Sequence, residues 1–228
     1  MRLVKFLVPA AAALVAGCGG GSSESSEDPF PLAVGDQWEY RFTDSRFSDG
    51  LRRYDITGTQ TVDGVTTYLM QDTWKTVPYA RSESEVRRYP ASDANDDEIA
   101  RGPLTVLKLP LTVGDEWTSI DEVKDSGEDI DGDGTNEVYT TLMSSRVTGM
   151  ADVDTPLGRF LNAYTVMTSS HGELKNPVTA EVYDWTDTQM QEQYARGVGL
   201  VTRSMSIIPW GGFRSYQSNE SLVSYRVR

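Results

Sequence analysis

The sequence predicts an all-β protein, an antiparallel sheet or partly closed β-barrel built from two repeated β-meander halves. Three observations carry that prediction. Apolar residues recur with period two, as in Trp38, Tyr40 and Phe42 alternating with Glu39, Arg41 and Thr43, and that spacing puts one row of side chains on one face of a strand. Turn-forming residues fall between such runs. An eight-residue segment then occurs twice, 79 residues apart.

The chain opens with an address. Arg2 and Lys5 precede an apolar run, Phe6 to Val15, which is shorter than the ~20 residues a spanning helix needs, so residues 1–17 read as a cleavable signal peptide. Its end, Leu14-Val15-Ala16-Gly17-Cys18, resembles the lipobox of bacterial lipoproteins. The resemblance implies cleavage before Cys18 and lipid on its sulfur, and two or three acyl chains anchor stably because each buried methylene contributes ~0.8 kcal/mol. Gly19, where inner-membrane retention uses Asp, implies the outer membrane if the cell is Gram-negative. Residues 18–28, Gly/Ser-rich and acidic after the cysteine, form a flexible tether with no apolar side chain to bury.

Residues 29–228 read as a single β-domain, with halves of about 29–108 and 109–228. That length suffices for one core burying ~70% of the extended-chain surface. Phe160, Tyr164 and Val166 fall on one side of a later strand, and Val223, Tyr225 and Val227 on one side of the last. Asp49-Gly50, Asp63-Gly64 and Pro156-Leu157-Gly158 supply hairpin chemistry. Two stretches, Asp93 to Ala100 and Asp187 to Ala195, have the composition of short helices, the second stopped by Gly197.

The repeat is Pro31-Leu32-Ala33-Val34-Gly35-Asp36-Gln37-Trp38 against Pro110-Leu111-Thr112-Val113-Gly114-Asp115-Glu116-Trp117, identical at six of eight positions. In each, Gly-Asp makes a turn and Trp is the first inward residue of a strand, a large apolar group at an equivalent place in each half. A second echo, Ile56-Thr57-Gly58 against Val147-Thr148-Gly149, has an offset of 91, so the second half carries a twelve-residue insertion between the echoes. The opening repeat, Thr155-Pro156-Leu157-Gly158-Arg159-Phe160 and the later Tyr194-Ala195-Arg196-Gly197-Val198-Gly199-Leu200-Val201 together resemble uncharacterised secreted bacterial β-domains, often lipoproteins. This resemblance implies a fold and no chemistry.

The insertion is acidic. Asp129, Asp131, Asp133 and Glu137 occupy loop positions 1, 3, 5 and 9, with Gly134 at 6 and Thr135 at 7. Carboxylates two apart on a tight loop converge, which suits a hard oxygen-seeking cation; Thr135 can add its carbonyl and the glycine allows the sharp turn. Without an ion, neighbouring carboxylates repel by on the order of 1 kcal/mol per contact even at the dielectric of water. The loop resembles the Asp-x-Asp-x-Asp-Gly calcium loops of EF-hands, dockerins and integrin-type propeller blades. It departs from the EF-hand at position 12, Thr140 in place of Glu, and the strand-like flanks fit the nine-residue loop closed by Glu137. Several flexible oxygens favour Ca2+ over Mg2+, with a structural role.

Composition bounds the function. The chain has 34 Asp+Glu against 21 Lys+Arg and a formal charge of -13; loss of residues 1–17 takes this to -15. Such a body lacks the basic patches that displace counterions from nucleic acid, and anionic lipid repels it, leaving attachment to the lipid on Cys18. One Cys and one His rule out a disulfide scaffold, a multi-Cys/His metal site and a catalytic Cys-His pair in the mature chain. His171 is placed in a strand-to-strand loop, and no Gly-x-Ser-x-Gly elbow accompanies it. Three readings follow in order: a non-catalytic lipid-anchored envelope protein binding an envelope partner or an apolar ligand; a calcium-dependent adhesion or interaction module; and a secreted hydrolase using His171.

Overall fold

The computed structural model describes residues 28–91, 93–94, 101–209 and 214–228. The signal peptide, Cys18, the tether before Asp28 and nearly all of the helix expected over Asp93–Ala100 lie outside the described residues.

The described chain forms twelve strands: β1 (Gln37–Asp44), β2 (Phe47–Val62), β3 (Val65–Gln71), β4 (Thr76–Arg81), β5 (Glu85–Arg88), β6 (Leu104–Lys108), β7 (Glu116–Asp125), β8 (Val138–Thr155), β9 (Gly158–Lys175), β10 (Val182–Ala195), β11 (Gly199–Pro209) and β12 (Tyr216–Arg226). They make one antiparallel sheet in the order β6-β5-β4-β3-β2-β1-β12-β11-β10-β9-β8-β7. Each half of the chain is thus a six-stranded meander, and the two join where β1 pairs with β12. The sheet curls until its outer strands meet, the Trp117 indole N–H and the Ser119 hydroxyl of β7 both donating to the Thr105 carbonyl of β6, at 3.3 and 2.7 Å. The result is a nearly closed barrel.

Each copy of the repeat does the same mechanical job. Gly35 N–H donates to Ile56 O at 2.8 Å and Ile56 N–H returns a bond to Asp36 O at 2.9 Å; Gly114, Val147 and Asp115 repeat this at 2.8 and 2.9 Å. The first echo therefore bonds to the second within each half. Positive φ at Gly35 (95°) and Gly114 (98°) makes the turn possible, and at Gly35 a Cβ would also meet the Arg228 guanidinium at 2.8 Å. Trp38 and Trp117, each 5% exposed, enter two separate core clusters. Trp38 packs with Tyr40, Ile56, Val201 and Leu222, and Trp117 with Val86, Leu107, Val147 and Tyr194.

Three local expectations are corrected. Asp187–Ala195 is part of β10 rather than a helix, because Met190 and Glu192 line the barrel interior and Tyr194 is fully buried, so burial on a period of two overrides helical propensity. Asp49 and Gly50 lie inside β2; the hairpin instead turns at Ser45-Arg46, where the Asp44 carboxylate accepts the Arg46 N–H at 2.8 Å. In β12 the buried positions are Ser218, Glu220 and Leu222, with Tyr225 exposed, since a bulge at Glu39/Tyr40 shifts the register against β1. Asp63-Gly64 and Pro156-Leu157 do turn.

Because consecutive strands run antiparallel, the connections fall alternately at two ends of the barrel. Asp28 lies at one end, its carbonyl accepting the Gly197 N–H at 2.8 Å and its carboxylate meeting Arg81 at 3.0 Å. The β3–β4 turn, the β7–β8 insertion and the β9–β10 turn lie at the other.

Candidate metal centre

The insertion falls in the β7–β8 hairpin: its loop, residues 126–137, stands where β1 and β2 are joined by Ser45-Arg46, and β7 is longer than β1. Backbone bonds close its base, Ser126 N–H to Glu137 O at 2.8 Å and Glu137 N–H to Glu128 O at 2.9 Å. Above that base the aspartates fold the loop on itself. Asp129 accepts the amides of Gly132 and Gly134 at 2.7 and 2.9 Å, Asp131 that of Asp133 at 3.0 Å, and Asp133 that of Thr135 at 2.7 Å. Gly132 and Gly134 have φ of 77° and 87°, which side-chain-bearing residues rarely adopt.

Carboxylate oxygens of Asp129, Asp131 and Glu137 lie within 4.8 Å of one another. Of the five residues expected to bind metal, these three converge. Asp133 turns its second oxygen to the Asn176 side-chain amide at 3.0 Å, and Thr135 joins the loop through its N–H. Glu137 is 0% exposed. Its Oε2 accepts the Ile130 N–H at 2.7 Å, whereas its buried Oε1 has no hydrogen-bond partner among the described residues. A buried carboxylate oxygen without a donor costs several kcal/mol unless a cation faces it, so the donor set fits a divalent ion.

Two residues that sequence spacing did not point to hold the loop from outside. Asn176, fully buried in the β9–β10 turn, donates to Asp131 and Asp133 at 3.0 Å each and accepts the amides of Val178 and Thr179 at 2.8 and 3.0 Å. The Tyr183 hydroxyl donates to Asp131 at 2.8 Å. That bond and the Asp133 amide hold the Asp131 carboxyl below its ordinary range, and the same bond pushes the Tyr183 phenol up. Both partners are more than 40 residues from the aspartates they bond, and no local motif marks them.

His171 is in β9 rather than a loop, half-exposed on the sheet. Its Nδ1 meets Asp187 at 2.6 Å and its Nε2 meets Glu173 at 2.9 Å. Glu173 first, and then Asp187, raises its pKa by stabilising the imidazolium. With a carboxylate on each ring nitrogen, neither nitrogen is placed to take a proton from a serine.

The interior is not packed solid. Glu192 and Glu220, both nearly fully buried, flank Arg203 at 2.7 and 3.0 Å, and Arg52 reaches Glu220 at 2.7 Å. Burial disfavours the Arg203 charge, but Glu192 and Glu220 outweigh that and hold its pKa up; burial and Glu220 push the Tyr54 phenol up to about 12. Beside this network lies a cavity of about 450 Å3.

No protein-family model and no curated protein matches the chain. Two solved structures are similar to it. One, from Parabacteroides distasonis, is described as a candidate lipoprotein; it is 12% identical with a TM-score of 0.40, over 88% of this chain and 99% of that one. The other, from Bacteroides fragilis, is described as a candidate exported protein with a YmcC-like fold; it is 13% identical with a TM-score of 0.41, over 86% of this chain and 98% of that one.

Proposed function

We propose that this chain is a non-catalytic cell-envelope protein, anchored through lipid on Cys18, to the outer membrane if the cell is Gram-negative. Its barrel carries one structural Ca2+ in the β7–β8 loop and binds an envelope component or a small apolar ligand. The observation that supports the calcium reading is the fully buried Glu137 carboxylate, whose Oε1 lacks a donor while the Asp129 and Asp131 carboxylates stand beside it. Asp129, Asp131 and Glu137 would be the ligands, with Asp133 and Thr135 shaping the loop around them.

The ion would act on the fold. It would screen the loop carboxylates from one another and, through Asp131, Asn176 and Tyr183, fasten the insertion to the β9–β10 turn. Strand flanks leave no helix pair to open, so the site braces the barrel rather than signalling.

Terbium luminescence tests the metal reading. The Tyr183 ring, one hydrogen bond from Asp131, is positioned to sensitise bound Tb3+, and millimolar Ca2+ should displace the signal. Absence of any saturable signal, or a signal unaffected by Glu137→Gln, refutes the site. Labelling with radioactive palmitate, lost in Cys18→Ser, tests the anchor.

A further inference from the structure

Four of the chain's seven methionines, Met70, Met143, Met190 and Met205, line the barrel cavity. Its volume of about 450 Å3 is within the ~300–1,000 Å3 of small-molecule sites. Unbranched, polarisable methionines adapt to flexible apolar guests. The deep polar groups satisfy one another: Arg203 lies between Glu192 and Glu220, and the Ser145 and Thr168 hydroxyls bond at 2.8 Å. Beyond them a smaller aromatic void, lined by Phe30, Tyr40 and Tyr194, shares the Met70 wall.

The mouth differs. Lys75, exposed in the β3–β4 turn, and Arg88, half-buried at the end of β5, line both the cavity and the recess at its opening. Neither side chain has a hydrogen-bond or ion-pair partner among the described residues, in a protein where acidic residues outnumber basic ones 34 to 21. Arg52, stacked at 4.8 Å on the ring of Trp74 in the same turn, adds a buried Nε without an acceptor among the described residues. The nearby Asp72 carboxylate is turned to the amides of Trp74 and Lys75 at 2.7 and 2.8 Å. Basic side chains therefore gather at the opening, at the end of the barrel away from Asp28, where Asp93 is the one carboxylate among the described residues lining the recess, and the four methionines lie below beside the self-paired polar groups.

We infer that the cavity binds a single-chain amphiphile with an anionic head, a fatty carboxylate or an alkyl phosphate, its head at Lys75 and Arg88 and its chain along the methionines. This rests on the ligand-binding part of the proposed function and not on the calcium loop. The test is calorimetric titration of the full chain with decanoate, decyl phosphate and neutral 1-decanol, repeated on a Lys75→Gln/Arg88→Gln double variant and on Met190→Trp, which fills the cavity. The two anions should bind at least ~10-fold tighter than the alcohol, which corresponds to about 1.4 kcal/mol. The double variant should erase that preference, Met190→Trp should weaken all three probes, and the tighter anion identifies the head group.

Equal affinity for decanol and the anions, or an undiminished anion preference in the double variant, overturns the inference while leaving apolar-ligand binding standing. Binding of none of the three by the parent chain overturns both. The double variant alters only side chains at the opening, so its result stands even if Met190→Trp does not fold.

Discussion

Replacing Glu137 with glutamine removes one charge at almost constant volume, and its effect should change sign with calcium. Without an ion, the parent holds a fully buried carboxylate with one oxygen on the Ile130 amide and the other on nothing. An unsatisfied buried polar atom costs about 1–3 kcal/mol, and more when charged. In chelator, Glu137→Gln should therefore be more stable than the parent by about 1–3 kcal/mol, or roughly 2–4 °C of Tm per kcal/mol for a domain of this size. In excess Ca2+ the parent gains the binding free energy, about 2.7 kcal/mol at a ~100-fold excess over Kd, and the variant gains little. The order of melting should close or invert between 5 mM EDTA and 10 mM CaCl2 in paired calorimetric scans. A parent Tm unmoved between the two buffers refutes the reasoning, as does a variant that melts lower by the same margin in both.

Four further outcomes are expected. Asn176→Ala, which strips donors from Asp131 and Asp133 and acceptors from the β9–β10 turn, should cost about 1–3 kcal/mol in urea unfolding and weaken Tb3+ affinity ~10–100-fold as loss of an outer-shell partner does. Arg203→Ala leaves Glu192 and Glu220 buried without their shared cation and should cost about 3–5 kcal/mol, with Glu192→Gln added to it recovering part of the loss. Asp36→Ala, which removes acceptors at 2.8 and 3.0 Å for the Ala33 and Arg228 amides, should cost about 1–3 kcal/mol, while Asp115→Ala at the equivalent repeat position costs less than half of that. His171 has a raised pKa in the fold because Glu173 and Asp187 flank it; its contribution is complete below the unfolded value near ~6.5 and is lost as pH rises through the higher folded value. Stability should thus decline from pH 6 towards pH 8, and His171→Gln should flatten that slope.

Much of the barrel was legible because half-buried strands repeat every two residues and because the Pro-Leu-x-Val-Gly-Asp-x-Trp segment marks the first strand of each meander. The helix expected in β10 fails for a physical reason. Asp187–Ala195 has helix-forming residues, but its parity also set Met190, Glu192 and Tyr194 inward, and parity prevailed once neighbouring strands buried that face. The same parity carried an unused signal: Glu192 between Met190 and Tyr194, Arg203 between Val201 and Met205, and Glu220 between Ser218 and Leu222 were charges at inward positions of three strands. Charges so placed must find each other, as they do. The acidic spacing identified the loop, but Asn176 and Tyr183 were not readable, since only the pairing of β8 with β9 and of β9 with β10 brings them to Asp131.

That pairing also explains why the proposed cation site would belong to the second half. The β1–β2 hairpin and the β7–β8 hairpin begin from the same Gly-Asp turn and the same Trp, yet one closes at Ser45-Arg46 and the other extends through residues 126–137. An acidic loop of that length standing free would repel itself open. At β7–β8 it has a neighbour: the β9–β10 turn projects from the same end of the barrel and supplies the Asn176 amide and the Tyr183 hydroxyl. Shortening that turn while preserving Asp129, Asp131, Asp133 and Glu137 should therefore abolish saturable Tb3+ binding, whereas metal affinity that survives would place the whole of the site's order in the loop itself.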